Sequence, residues 1–150
     1  MLSRGPSLAV KRTLNRVGSP VLLVGHSYGG ATITGSGTDE RVVGLVYIAA
    51  VAHPLCARLQ SISATELSAD KVAWRSKPSW YILATQDHTV HPDLQRWVSS
   101  RMGAKVTEVE SSHVPMLSQP DVVIGVIREA AAAIGKTSAA LVGKTAAAVG

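Results

Sequence analysis

The sequence predicts an α/β fold of about four mainly parallel strands with flanking helices. Three observations carry this. Short apolar runs of β character recur along the chain. Helix-patterned stretches separate them, which is the alternation that imposes parallel pairing. The run Val21–Val24 is apolar throughout rather than alternating, as in strands covered on both faces. At 150 residues, 46% hydrophobic and 17% charged, with a mean hydropathy of +0.20, the chain has the content of one domain. That excludes a disordered, collagen-like or acidic-tail protein.

Ser7 to Val17 sets Leu8, Ala9, Val10 and Leu14 among Lys11, Arg12 and Arg16, an amphipathic helix stopped by Gly18. Val21–Val24 follows as the first strand, and Ala31 to Gly35 starts a short helix. Arg41 to Ile48 is the second strand. Ala52 to Trp74 is polar and weakly helical. Ser79 to Ala84 is the third strand, ended by Thr85-Gln86-Asp87. Pro92 sits in the first turn of a helix with Leu94, Trp97 and Val98 on one face. After Gly103, Lys105 to Val109 is the fourth strand and Ser111 to Gln119 a loop. Pro120 and Asp121 start a final helix whose apolar face takes in Val123, Ile127, Ala131 and Ile134.

The Ala-rich end, residues 135–150, holds two imperfect copies of one octet, each with Gly-Lys-Thr. A phosphate-binding loop needs a further glycine five residues before each of those glycines, and Ala130 and Ser138 stand there instead. The segment reads as a frayed helical tail.

Fifteen Lys and Arg against ten Asp and Glu give a formal charge of +5. The cations are scattered, and three Trp and three Tyr build no stacking platform. The charge is therefore a solubility property, and no nucleic-acid partner is expected. The lone cysteine, Cys56, cannot form an internal disulfide. Met1 to Pro6 lacks the apolar stretch of a secretory signal, and no apolar run is long enough to span a bilayer. The expectation is a cytoplasmic protein with no membrane partner.

Gly25-His26-Ser27-Tyr28-Gly29 matches G-x-S-x-G directly after a strand and before a helix, the setting of a nucleophile elbow. A sharp turn there needs neighbours without side chains, which assigns Gly25 and Gly29 as the elbow glycines. The helix N-terminus beyond offers the Tyr28 backbone N–H to a developing oxyanion. Serine needs a base, and the base an orienting acid, in the chain order Ser, Asp or Glu, His. Asp87 follows the third strand and His113 the fourth, both at the carboxyl edge that carries Ser27.

The competitors have plainer readings. Asp93 and Asp121 complement helix N-termini. His88 and His91 flank Asp87 in a D-H-x-x-H pattern but read as solvated loop residues, so no metal is expected. His26 reads as a packing residue, and His53 has no evident partner.

The elbow Pro20–Gly30, the strand and turn Ser79–Asp87, His91–Trp97 and Ser111–Pro120 together resemble the α/β-hydrolase superfamily. Within it they are similar to the branch of small esterases, plant methylesterases and hydroxynitrile lyases. The resemblance spans Ser7 to Ile134. It implies Ser27 as nucleophile, Asp87 as acid, His113 as base and the Tyr28 N–H as first oxyanion donor, acting without a cofactor on a small ester.

The chain departs from the family in two places. About four strands precede the elbow there, and a loop among them supplies the second oxyanion donor; here one helix precedes it. The lid is cut to about residues 52–74. The chain is accordingly expected to be N-terminally truncated: 1–134 the C-terminal part of such a domain, 135–150 a tail. Strand 21–24 is then an unprotected apolar edge through which the chain can self-associate. Three alternatives stand beside the esterase: an inactive or partner-dependent remnant, cyanohydrin-cleaving acid/base chemistry with Lys71 as the lone lid lysine, and a non-catalytic ligand-binding role.

Overall fold

A computed structural model describes residues 6–52 and 72–147. Cys56, His53, Lys71 and most of the expected lid stretch lie outside the described residues. The elements run α1 (Pro6–Leu14), β1 (Val21–His26), α2 (Gly29–Ser36), β2 (Val42–Ile48), a single 3-10 turn (Ala73–Arg75), β3 (Ser79–Ala84), α3 (Pro92–Met102), β4 (Lys105–Val109), the one-turn α4 (Pro115–Ser118) and α5 (Pro120–Ala147).

The strands form one sheet in the order β1-β2-β3-β4, every neighbouring pair parallel. Period-two alternation divides the core between its faces. Leu45 and Tyr47 of β2 and Tyr81 and Leu83 of β3 join Leu14, Ile33, Val98 and Met102 beneath α1, α2 and α3. Val46, Ile48, Trp80 and Ile82 face the other way, onto Val123, Val126, Ala130 and Ile134 of α5. Covering both faces is what permits the all-apolar β2 and β3.

The expected element order holds, and the boundaries move where tertiary contacts decide them. Strand β1 continues past Val24 because Gly25 and His26 pair with Tyr47 and Ile48. Helix α2 begins at Gly29, and α1 stops at Leu14. The Ser111–Gln119 loop contains the single turn α4.

Two helix faces are corrected. In α3 the buried residues are Gln95, Val98, Ser99 and Met102. Leu94 is exposed, and Trp97, 51% exposed, lies beside the Arg101 guanidinium. The sheet selects the i, i+3, i+4, i+7 stripe that also seats a polar residue, and hydrophobicity alone misplaces it. In α5, Val126 and Ala130 take the inner positions given to Ile127 and Ala131. Ile127 is half-buried and Ala131 exposed. The helix runs unbroken for 28 residues through Gly135 to Ala147.

The two sheet edges differ. Strand β4 carries Lys105 and Glu108, which pair with Glu129 and Arg96. Charges of this kind protect an edge. Strand β1 has none, and its Val24 is 42% exposed. Among the described residues no helix is long and apolar enough to cross a membrane.

Candidate active site

Parallel strands bring four chain turns to one edge of the sheet. Ser27 follows β1, Ala49 follows β2, Asp87 follows β3 and His113 follows β4. Ser27 has φ +52, a left-handed conformation that costs a non-glycine residue about 1–3 kcal/mol. Both of its peptide groups are held by the end of β2. Its N–H donates to Ile48 O at 3.1 Å, and its carbonyl accepts from Val51 N at 3.2 Å and Gly30 N at 3.0 Å. Ala49, with φ +43, is the second non-glycine residue in this conformation among those described.

The glycines explain how the turn closes. A Cβ on Gly25 would sit 2.6 Å from Gly29 O, so only glycine fits. A Cβ on Gly29 meets nothing within 4 Å, which corrects the expectation that both positions are sterically required. The second required glycine is Gly30, where a Cβ would lie 2.6 Å from Val51 O and 2.7 Å from the Ala50 Cβ. The reason is that α2 packs its first turn directly against the chain leaving β2.

Asp87 is 2% exposed. Its Oδ1 accepts from Thr89 N at 2.7 Å and Val90 N at 2.9 Å. Its Oδ2 accepts from Gln95 Nε2 at 2.9 Å and lies 2.8 Å from His113 Nδ1. Burial pushes the carboxyl up; the His113 hydrogen bond and the N–H groups of Val90 and Thr89 outweigh it and hold the carboxyl below the usual carboxylate range. An ionised carboxylate only accepts, so His113 carries its proton on Nδ1. The Nε2 lone pair then faces Ser27 Oγ at 2.9 Å, and the serine hydroxyl donates to it. Sequence reasoning names all three residues, and the structure joins them in one hydrogen-bonded chain.

His26 is more than a packing residue. Its Nε2 lies 2.7 Å from the His113 carbonyl oxygen and donates to it, and the two rings lie 4.8 Å apart. The elbow's own strand thus steadies the loop that carries His113. Tyr28 precedes the first helical residue of α2, and among the described residues nothing accepts from its N–H. His88 is exposed. His91 accepts from Asp93 N through Nδ1 as the N-cap of α3. Among the described residues no three His, Cys, Asp or Glu side chains gather to hold a metal ion.

Sequence reasoning misses Gln95 and Gly30. Gln95 is legible in principle, because it stands at i−3 and i−7 from the apolar Val98 and Met102 on one helical stripe.

The geometry has counterparts among known proteins. The model of the alpha/beta hydrolase family matches residues 54–126, a segment that contains Asp87 and His113 but not Ser27. Solved structures extend the likeness across the elbow. A pyrethroid hydrolase from Sphingobium faniae JZ-2 is 19% identical, with 82% of this chain and 75% of that one covered and a TM-score of 0.62. Polyneuridine aldehyde esterase is 18% identical, with 82% and 77% covered and a TM-score of 0.60. A YdeN-like hydrolase from Pectobacterium atrosepticum is 20% identical, with 72% of this chain covered and a TM-score of 0.57, and the match spans 56% of that protein. No curated protein matches the chain. At these identities the likeness is one of fold: the four-stranded parallel sheet and its helices are part of an α/β-hydrolase fold.

Proposed function

We propose that the chain is a serine hydrolase that cleaves a small carboxylic ester through an acyl-enzyme. The observation that supports this most directly is the alignment of Ser27 Oγ, His113 and Asp87 through contacts of 2.9 Å and 2.8 Å at a strained turn. Strain kept at one half-buried polar residue is a mark of a functional site rather than of stability. The structural neighbours named as esterases and hydrolases agree with it.

In this reading Ser27 Oγ attacks the ester carbonyl carbon as its proton passes to His113 Nε2. The buried Asp87 carboxylate stabilises the imidazolium and keeps the ring oriented. The Tyr28 N–H donates to the oxyanion. The tetrahedral adduct collapses by breaking the bond to the alcohol oxygen, which takes the proton from Nε2. Water then repeats the sequence on the acyl-Ser27 ester and releases the carboxylic acid. Every proton is carried by His113, and the cycle closes without a cofactor.

A fluorophosphonate probe tests the reading: it labels the wild type and leaves Ser27→Ala unlabelled. Labelling of neither protein overturns it. One observation favours a second reading, in which the same residues work only when β1 is covered by another strand: the edge is free of charge and Val24 is exposed. Labelling confined to an associated form, and absent from the monomer, selects that version.

A further inference from the structure

Gln95 is fully buried at 0% exposure, and every polar group of its side chain is used. Its Oε1 accepts from Ala84 N at 3.1 Å. Its Nε2 donates to Asp87 Oδ2 at 2.9 Å and to Val90 O at 2.7 Å. The Ala84 N–H is a main-chain donor at the buried end of β3, and it decides which way the amide faces. The flipped amide would set N–H against N–H at Ala84 and carbonyl against carboxylate and carbonyl on the other side. Gln95 can therefore present only donors to Asp87.

The four contacts of the carboxylate then have a single solution. Thr89 N, Val90 N and Gln95 Nε2 all donate to the carboxylate, which accepts only when ionised, and the remaining direction on its Oδ2 takes a donor from His113 Nδ1. That choice of tautomer leaves Nε2 unprotonated toward Ser27. We infer that Gln95 is a positioning residue: its amide holds Asp87 Oδ2 in the orientation that receives His113 Nδ1–H and so fixes the His113 tautomer. The inference rests on the proposed roles of Ser27, His113 and Asp87. A purely structural glutamine would only fill its space and satisfy Ala84.

Gln95→Glu separates the two roles. It keeps the length, the volume and an acceptor for Ala84 N, and in place of the amide donor it sets a second carboxyl against Asp87 Oδ2, where the two share one proton and Asp87 no longer turns a full charge toward His113. Partners that orient metal-ligating side chains in the same way contribute about 10- to 100-fold. The expected result on folded protein is a fall of at least about tenfold in the fluorophosphonate labelling rate and in kcat for p-nitrophenyl acetate, with KM changed by no more than about twofold. The nitrogen NMR shifts of His113 supply a readout that a space-filling role does not move. In the wild type Nδ1 is protonated and Nε2 is not, and in the variant this preference is lost.

Gln95→Met removes the donor without adding charge, and the Ala84 acceptor with it; on folded protein it too is expected to lose the tautomer preference, so the inference stays testable if the glutamate variant does not fold. A wild-type ring protonated on Nε2, or a folded variant with wild-type NMR shifts and labelling within about twofold, overturns it. If the wild type is not labelled at all, the proposed hydrolase reading fails, while the NMR result still decides the role of Gln95.

Discussion

Asp87→Asn is the substitution whose outcome follows most directly from the hydrogen bonds around the site. Thr89 N and Val90 N donate to one oxygen of Asp87, and an Asn carbonyl oxygen accepts from both as before. The new NH2 then occupies the Oδ2 position, facing Gln95 Nε2 and His113 Nδ1. Gln95 cannot turn over without orphaning Ala84 N, so its N–H loses its acceptor. His113 can answer only by accepting at Nδ1, which moves its proton to Nε2 and turns an N–H instead of a lone pair toward Ser27 Oγ. In serine proteases the same substitution, with the same change of tautomer, lowers kcat about 10⁴-fold, equivalent to about 5 kcal/mol of barrier at 1.36 kcal/mol per tenfold. The orphaned buried donor costs a further ~1–3 kcal/mol of stability.

The pH dependence of stability has a definite sign. In the native state the Asp87 carboxyl titrates below its ordinary value, so between the two values the unfolded chain binds more protons and stability rises with pH. The contribution is complete above the ordinary aspartate value of about 4 and is lost as pH falls through the lower native value. Asp87→Asn removes this slope. The assays are labelling by a fluorophosphonate and thermal melts from about pH 7 down through the ordinary aspartate value of about 4 into acid. A variant labelled within tenfold of the wild-type rate, or one that keeps the wild-type acid slope, refutes the reasoning.

The elbow makes two further predictions and the sheet edge one. Gly25→Ala drives a Cβ to 2.6 Å from Gly29 O and is expected to destabilise by about 1–3 kcal/mol, whereas Gly29→Ala, with open space at its Cβ, stays within about 0.5 kcal/mol; paired denaturant melts compare them. Ser27→Gly and Ser27→Ala both lack the hydroxyl, but only glycine relieves the φ of +52. The glycine variant is therefore expected to be the more stable by about 1 kcal/mol, and equal midpoints count against strain at this residue. Strand β1 is expected to associate with a second copy through its open edge. Light scattering then gives a mass above 15.7 kDa for the wild type, and Val24→Lys, which places a charge on the edge, returns it to the monomer. A monomeric wild type at high concentration removes the self-association proposal.

What is legible in the sequence follows the range of the forces involved. The strands Ser79–Ala84 and Lys105–Val109 are readable to the residue, because local β character and a following turn define them. Ser27, Asp87 and His113 are readable because parallel topology sends every strand end to one edge, so chain order alone predicts their meeting. Gln95 is readable only as a member of the Val98–Met102 stripe, since its burial as a polar residue is decided by a partner eight residues away, Asp87, whose own burial is a tertiary fact. Leu94 and Trp97 are misplaced for the same reason: the face of α3 is chosen by what Asp87 and Ala84 require, and two apolar residues are left outside. Gly29 and Gly30 exchange roles because the motif specifies a spacing, while the clash that demands glycine comes from Val51, outside the motif.

The strain at Ser27 is held by more of the fold than the motif contains. Ala49, which follows β2, is itself left-handed, and this second turn aims the Val51 N–H at the Ser27 carbonyl and sets the Val51 carbonyl beside Gly30. The turn is fixed from β3: Tyr81 Oη donates to Ala50 O and accepts from Ala50 N. Burial raises the Tyr81 phenol above its ordinary value, so it stays protonated and keeps both roles. Tyr81 also stacks on Tyr47 of β2 within the core beneath α1, α2 and α3. The conformation of Ser27 is thus over-determined by a path running from β3 through Ala50 and Val51 to the elbow, while Asp87 follows the carboxyl end of the same strand. One central strand therefore sets both the backbone of Ser27 and the position of Asp87. A substitution at Tyr81 is accordingly expected to disturb labelling of Ser27 although its hydroxyl bonds to Ala50 alone.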